Sequence, residues 1–370
     1  MGLTFRKLSI WFVSIIVVVL ANTPHLWANE PDSALSKSDK KEKKEAFKPG
    51  DIIFEHIGDS YYWPVVSFKD KVVAIPLLVI IYSENSGLHV FCSSKLDHGH
   101  ASFKGFEISE EGKYKGKIVE KLSDGSFLKP YDISITKNVL SLLISFALML
   151  WMFISMARRY TKYPNEAPKG IQSALEPLVI FVRDEIAIPS IGKDRYEKFM
   201  PYLLTVFFFI WINNMMGLIP IFPGGANVSG NITITMILAL ITFFITIFST
   251  NKFYWVHLVN TPGVPWWLKI PVPLMPFIEF SSNIVIRPFV LMIRLFANIT
   301  AGHINVLSFI MLIFIFGAMN PVAGFSFTPV SVAFVVFIYF IELLVAFIQA
   351  FVFTLLSALY FGMAKEKGHH

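Results

Sequence analysis

The chain has 370 residues, of which 54% are apolar and 16% charged, and Phe alone numbers 37. Soluble domains carry about 25% charged residues, so this composition excludes a single soluble domain and points to several membrane spans. The formal charge of +6 does not indicate nucleic acid, because much of it sits in a Lys-rich linker and in short basic loops between apolar runs, as positive-inside sorting produces.

Arg6 and Lys7 precede an apolar run from Leu8 to Leu20. At about 13 residues it is short for a span and suits the h-region of a secretory signal. The expected cleavage follows Ala28, although Leu26 at −3 is not small, and an uncleaved N-terminal anchor is the alternative. The signal is thus assigned to residues 1–28 and a charged, solvated linker to 29–50, where SALSKSDKKEKKEAFKPG holds too little apolar surface to order itself.

Residues 51–132 change character. The runs DIIF, KVVAIPLLVIIYS, GLHVFC and GKIVEKL, broken by Gly, Asp, Ser and Asn, predict a small β-rich domain. Val72 to Tyr82 is too short to cross a bilayer as a helix. His56, His89, His98 and His100 match no metal-ligand spacing and are read as surface or core histidines. Cys92 is the single cysteine, which excludes a disulfide within the chain and reads as a small buried hydrophobe.

From Ile133 to residue 363 the chain reads as an all-α polytopic membrane domain, followed by a tail at 364–370. Five spans are predicted, at 136–156, 200–222, 231–250, 276–317 and 328–363, with an amphipathic or re-entrant helix within 164–194. Basic residues follow span one (Arg158, Arg159, Lys162), span three (Lys252, Lys269) and span five (Lys365, Lys367), whereas the loops PGGANVSG and GAMNPVAGFSFTP carry no charge. The positive-inside rule then places the C-terminus in the cytoplasm and the β-rich domain outside, in the periplasm of a bacterial inner membrane. Span four, at 1.5 Å per residue, would reach about 63 Å, twice the hydrocarbon thickness. It must tilt, bend at Pro276 or Pro288, or run partly in the membrane plane, and span five is over-long too.

One cation stands out. Arg294 lies within RPFVLMIRLFANITAGH, residues 287–303, amid largely apolar sequence. A charge at membrane depth costs about 2.5–3.5 kcal/mol on insertion scales, and a guanidinium does not escape by losing its proton. If the last two spans form an antiparallel hairpin turning near residue 322, Gln349 falls at the depth of Arg294, and Glu342 at the depth of His303. The second pair is nine residues nearer the outer face, about 13 Å at helical rise. A His and a carboxylate can hand a proton along if water reaches them, which places an aqueous inlet on the outer side. Arg294 repels protons and favours ionisation of any carboxylate brought close, while Gln349 can hydrogen-bond it without neutralising it. Glu279, with Ser281, Ser282 and Asn283, would line an inner inlet. Nine residues at about 100° each turn His303 to the face opposite Arg294, a conflict that a bend near Gly302, a strong crossing angle or bridging water must resolve. Asn298 is either packing glue or a channel group, Arg287 either snorkels or is structural, and Asn214 and Asn231 read as helix-packing amides.

RLFANITAGH, with IELLVAFIQAFVFTLLSALYF from Ile341 to Phe361, resembles the subunit a family of F-type ATP synthases, as do NNMMGLIPI (213–221) and NITITMILAL (231–240). The similarity covers roughly residues 133–363. It implies that Arg294 is the essential arginine facing a ring of c subunits, with Gln349 as its neighbour. It also implies two offset half-channels, through which protons reach and leave a c-ring carboxylate. Family members carry an acid and a histidine at the positions of His303 and Glu342; the order here resembles the mitochondrial one, and Ala297 stands where Gly is common. HIGDSYYW (56–63) is similar to a short polar motif near the family's N-terminus. The implied partners are the c-ring, the subunit b stalk, the F1 sector and the lipid bilayer, with no cofactor and no nucleic acid. No GxxxxGK[ST] occurs, so ATP chemistry belongs to partners. The rival reading is an ion-coupled secondary transporter with a periplasmic domain, although no internal repeat is visible. A sensor or receptor would leave Arg294 and Glu342 idle.

Overall fold

The computed structural model describes residues 49–68, 71–99, 101–109, 114–122, 126–250 and 274–364. The signal segment, most of the charged linker, and Lys252, Lys269, Lys365 and Lys367 lie outside the described residues. The rest forms two units, one from Ser60 to Lys137 and the other joining Pro49–Asp59 to the chain from Asn138 onward.

The first unit is built of β1 (Tyr62–Phe68), β2 (Lys71–Pro76), β3 (Leu78–Ser83), β4 (Gly87–Cys92), β5 (Phe106–Ile108), β6 (Ile118–Lys121), β7 (Phe127–Leu128) and β8 (Tyr131–Asp132). They pair antiparallel as β1-β2, β4-β3-β8 and β5-β6-β7. The long apolar run 71–83 is divided between β2 and β3 around Leu77. Its core gathers Tyr61, Val79, Ile81, Phe91, Leu96, Phe106 and Ile118. Buried Glu120 is held by the Ser83 and Ser86 hydroxyls, the latter at 2.9 Å. His89 has ordinary company: its Nε2 meets the Ser86 carbonyl at 3.0 Å and its ring lies on Phe106.

DIIF is not a strand. It lies in α1 (Pro49–Ile57), where Pro at the first position is pre-set for a helix and lacks an N–H that would have no partner anyway. Helix α1 packs on the long helix bearing Arg294. Asp59, in the HIGDSYYW motif, accepts the Asn138 N–H at 3.0 Å and so caps α2 (Lys137–Lys162).

The membrane unit continues through α3 (Ile171–Phe181), a π-turn (Val182–Ala187), α4 (Ile188–Ile191), α5 (Tyr196–Leu218), α6 (Ile232–Phe248), α7 (Leu274–Ser281), a second π-turn (Ser282–Ile286), α8 (Arg287–Met319) and α9 (Pro321–Ala364). Among the described residues, four helices are long and apolar enough to cross a membrane, and α6 is a shorter apolar helix. The expected amphipathic segment is helical over 171–191, interrupted by a π-turn that carries the exposed ion pair of Arg183 and Asp184. Both π-turns end two residues before a proline, Pro189 and Pro288. Proline takes away the N–H due to the carbonyl four residues back and crowds it, and a widened turn relieves both. The bend expected at Pro276 or Pro288 is thus the π-turn ahead of Pro288.

The uncharged loop expected over 317–329 is absent. Only Asn320 separates α8 from α9, and its side chain accepts the Val322 N–H at 3.0 Å. Gly317 and Gly324 let the two helices turn back on each other, since a methyl at Gly324 would come within 2.7 Å of the Gly317 α-carbon. Phe316 then meets Phe327, and Phe309 stacks on Phe334 at 5.1 Å. Seven residues up one helix match seven down the other, which is the expected antiparallel register.

Helix α9 buries Ala346, Ala350, Thr354, Ala358 and Phe361, a small-residue stripe along the seam with α5. Phe361 stacks on Phe199 at 4.8 Å, and Tyr202 hydrogen-bonds Thr242 of α6 at 2.7 Å. Asn231 does not pack between helices as expected; it caps α6 by accepting the Thr233 N–H. The closest backbone approach is at Gly362, where a Cβ would lie 2.0 Å from the Ser190 carbonyl oxygen of α4. Gly362→Ala is expected to cost about 1–3 kcal/mol by forcing α4 and α9 apart. Thermal unfolding of the purified variant in detergent checks this; an unchanged midpoint would show that the seam can give.

Candidate functional site

Helix α8 presents one ridge at steps of four residues: Val290, Arg294, Asn298 and Gly302. Arg294 is exposed, and no hydrogen bond or ion pair from the described residues reaches its guanidinium. Its neighbours Ala297 and Ala301 are exposed as well, so the surface around the cation is small and apolar. Gln349 on α9 is buried at 6% exposure and makes no hydrogen bond to Arg294, contrary to expectation. Arg287 is structural: it lies 5.1 Å over the Tyr360 ring and its Nη2 reaches Met363 Sδ at 3.8 Å.

Glu342 is buried at 8% exposure, and the residue facing it is Gly302. A methyl there would stand 2.6 Å from Glu342 Oε1 and 2.9 Å from its Cδ. The depth match with His303 is therefore off by one residue, and that residue settles the azimuth. Eight positions from Arg294 turn the helix by about 80°, nine by about 180°. Glu342 thus sits over the ridge that carries Arg294, without any bend in α8, which stays α-helical through Gly302.

His303 and Glu342 nevertheless line one small pocket, with Asn214, Asn298, Gly302 and Ala346, whose cavity volume is about 10 Å³. A Cβ on Gly217 would lie 3.6 Å from His303 Nε2 and 3.4 Å from the Ala226 carbonyl oxygen, so the imidazole tip fills the gap that Gly217 leaves beside the buried 226–229 loop. Asn214 Nδ2 donates to the Ala346 carbonyl at 3.4 Å, bridging α5 and α9. Glu342 Oε1 and Asn214 Oδ1 are buried with no hydrogen-bond partner. An unsatisfied buried polar atom costs about 1–3 kcal/mol, so this pocket is built for something polar.

A second pocket, with a cavity volume of about 20 Å³, lies on the other side of Arg294 along α8. Thr242 and Thr246 of α6, Asn283 of the π-turn, Arg287, and Tyr360 of α9 line it. Asn283 is part of this lining, whereas Glu279 falls in α7 and its side chain lies outside the described residues. Sequence reading missed Gly302, Gly217 and Tyr360. Glycines in tight helical contact with a membrane carboxylate and an imidazole were the available signal. Among the described residues no three His, Cys, Asp or Glu converge on a metal-sized site.

Fold and site together define a polytopic membrane protein in which Arg294 lies between two pockets along one helix. Residues 139–362 match the family described as ATP synthase A chain, and the chain belongs to that family. Residues 52–137 match a separate family, described as a domain of unknown function (DUF8433). The chain is 40% identical over 283 residues to ATP synthase subunit a of Chloroherpeton thalassium, covering 75% of this chain and 78% of that one. It is 39% identical over 303 residues to subunit a of Myxococcus xanthus, covering 80% and 91%. With ATP synthase subunit a 2 of Chlorobaculum tepidum it shares 45% over 243 residues, covering 63% and 64%. As a member of this family it is a membrane subunit of a rotary ATP synthase and carries no catalytic site of its own.

The close approach at Gly302 makes a prediction. Gly302→Ala should drive the Glu342 carboxyl out of its place and depress ATP-driven acidification of membrane vesicles. Adding Glu342→Asp, one methylene shorter, should restore part of it. A double variant no better than the single one would show that space at Gly302 is not the reason.

Proposed function

We propose that this chain conducts protons as the stator of the membrane sector, through two half-channels kept apart by Arg294. The observation that carries the reading is the position of an exposed, unpaired guanidinium between the two pockets along one helix. The pocket of Asn214, Asn298, His303 and Glu342 serves as the outer inlet. Water there would satisfy Glu342 Oε1 and Asn214 Oδ1, and the His–carboxylate pair would pass protons inward. The pocket of Asn283, Arg287 and Tyr360 serves as the inner inlet.

The rotor presses against the ridge of Arg294, where Ala297 and Ala301 allow another helix close approach. A carboxylate carried on a c-ring helix would find a counter-charge there. Arg294 favours its ionised form, so the proton is released to one inlet and cannot leak directly to the other. Gln349, buried one helix away, limits how far the guanidinium swings rather than binding it in this chain alone. The subunit b stalk and the F1 sector complete the assembly. The basic loops place the C-terminus in the cytoplasm of a bacterial inner membrane and residues 60–137 in the periplasm. Nothing in the helix arrangement favours the transporter reading.

Arg294→Ala should abolish ATP-driven proton pumping in vesicles while soluble ATPase activity survives; normal pumping would reject the assignment. Exchanging His303 and Glu342 should impair growth on a respiratory substrate less than replacing either by Ala. Equal loss in all three would argue against a functional pair.

A further inference from the structure

The β-rich unit has a surface that neither its own core nor the ion path uses. In the sheet β4-β3-β8 the pleat turns Val79, Ile81 and Phe91 into the core. The residues between them form the other face, where an antiparallel sheet commonly shows polar groups to water. Here that face carries Leu78, Tyr82, Leu88, Val90, Tyr131 and Ile133, at 42%, 46%, 65%, 56%, 65% and 50% exposure. The register joins them into one patch: Tyr82 stands opposite Leu88 on one side and Tyr131 on the other. The two tyrosine rings lie 6.4 Å apart. A contiguous apolar patch of this kind marks an interaction surface.

The chain itself decides what lies within reach. The β8 ladder runs on past Asp132, with the Ile133 N–H donating to Ile80 and the Ile135 N–H to Leu78, both at 2.9 Å. Helix α2 begins at Lys137 and exposes Leu143, Leu150 and Trp151 along an apolar span. Six peptide steps from Tyr131 to Lys137 cover about 20 Å even when fully extended. The patch is therefore tethered beside the membrane surface, and its last strand leads directly into a lipid-facing helix. Tyrosines are at home at headgroup depth, where the ring is apolar and the hydroxyl is wet.

We propose that this face of the β4-β3-β8 sheet rests in the interfacial layer of the bilayer, with lipid headgroups and the first carbons of the acyl chains as its partner. Amphipathic surfaces of this type sit about 5–10 Å into the headgroup boundary. The inference needs only that α2 crosses the membrane, so it stands or falls independently of the proton path.

The single cysteine offers a native probe, because Cys92 lies directly opposite Leu78 on this face and is partly exposed. The full-length chain, labelled there with an environment-sensitive fluorophore, is placed in lipid nanodiscs, both faces of which are open to solvent. Quenching by nitroxides carried on headgroups and upper acyl chains, with protection from aqueous iodide, is the expected result. Quenching by iodide alone would put the face in water, and protection from both quenchers would mean a protein occupant; either overturns the proposal. Leu88→Asp with Val90→Asp changes only the outer face and should exchange lipid quenching for iodide quenching. Lipid quenching that persists in this double variant would also overturn it, because the apolar face would then not be what holds the unit there.

Discussion

A positive charge that cannot be discharged, set in an apolar helix with no hydrogen-bond or ion-pair partner among the described residues, is the constraint on which the rest of this molecule depends. Arg294 is exposed and unpaired among the described residues. Insertion of such a group costs several kcal/mol, and a salt bridge inside the chain would have been the economical remedy. A permanent internal bridge would also have ended any use of the charge. On the proposed function, leaving it open would keep the guanidinium available to a group that arrives and departs, and the exposed neighbours Ala297 and Ala301 add little bulk beside it.

That openness demands rigidity elsewhere. Helices α8 and α9 are joined by one residue, and their register is fixed by glycine contacts at the turn and by two phenylalanine pairs higher up. Below, α9 is locked to α5 by a stripe of Ala, Thr and Ser and to α4 by the contact of Gly362 with Ser190. The π-turn before Pro288 redirects the chain ahead of Arg294 and brings Asn283 into a pocket of its own. Proline supplies the cause and the pocket is the consequence, so a residue that breaks helices shapes the inner side of the site.

Much of this was legible in the sequence, and the misses have physical reasons. The membrane spans, the over-long last pair and the antiparallel depth match follow from apolar length and rise per residue, quantities that tertiary contacts barely alter. The partner of Glu342 did not follow, because depth varies by only about 1.5 Å per residue while azimuth swings by about 100°. Depth alone could not choose between His303 and Gly302, and a search for chemistry preferred the imidazole to a residue without a side chain. DIIF was misread for a related reason: three apolar or aromatic residues after an Asp fit either period, and the neighbours that decide it, Pro49 and the surface of α8, are not visible locally. The loop expected over 317–329 is helical because Gly and Pro can serve as close-packing and helix-start residues as well as turn formers.

Polar residues in the membrane unit separate into two kinds by what their atoms find. The hydroxyls of Thr205, Thr246, Thr354 and Ser357 each donate to the carbonyl four residues back, at 2.7–2.8 Å, and so ask nothing of their surroundings. Asn231 and Asp59 are likewise satisfied by capping helix ends. Glu342 Oε1 and Asn214 Oδ1 differ, being buried with no partner and facing the same pocket. A composition count treats all of these as polar groups in lipid, yet only the second kind has hydrogen-bonding capacity left over. Unsatisfied atoms also occur outside the two pockets, at Ser141 Oγ, Asn213 Oδ1 and Ser331 Oγ, so it is the convergence of two of them on one cavity that sets this lining apart.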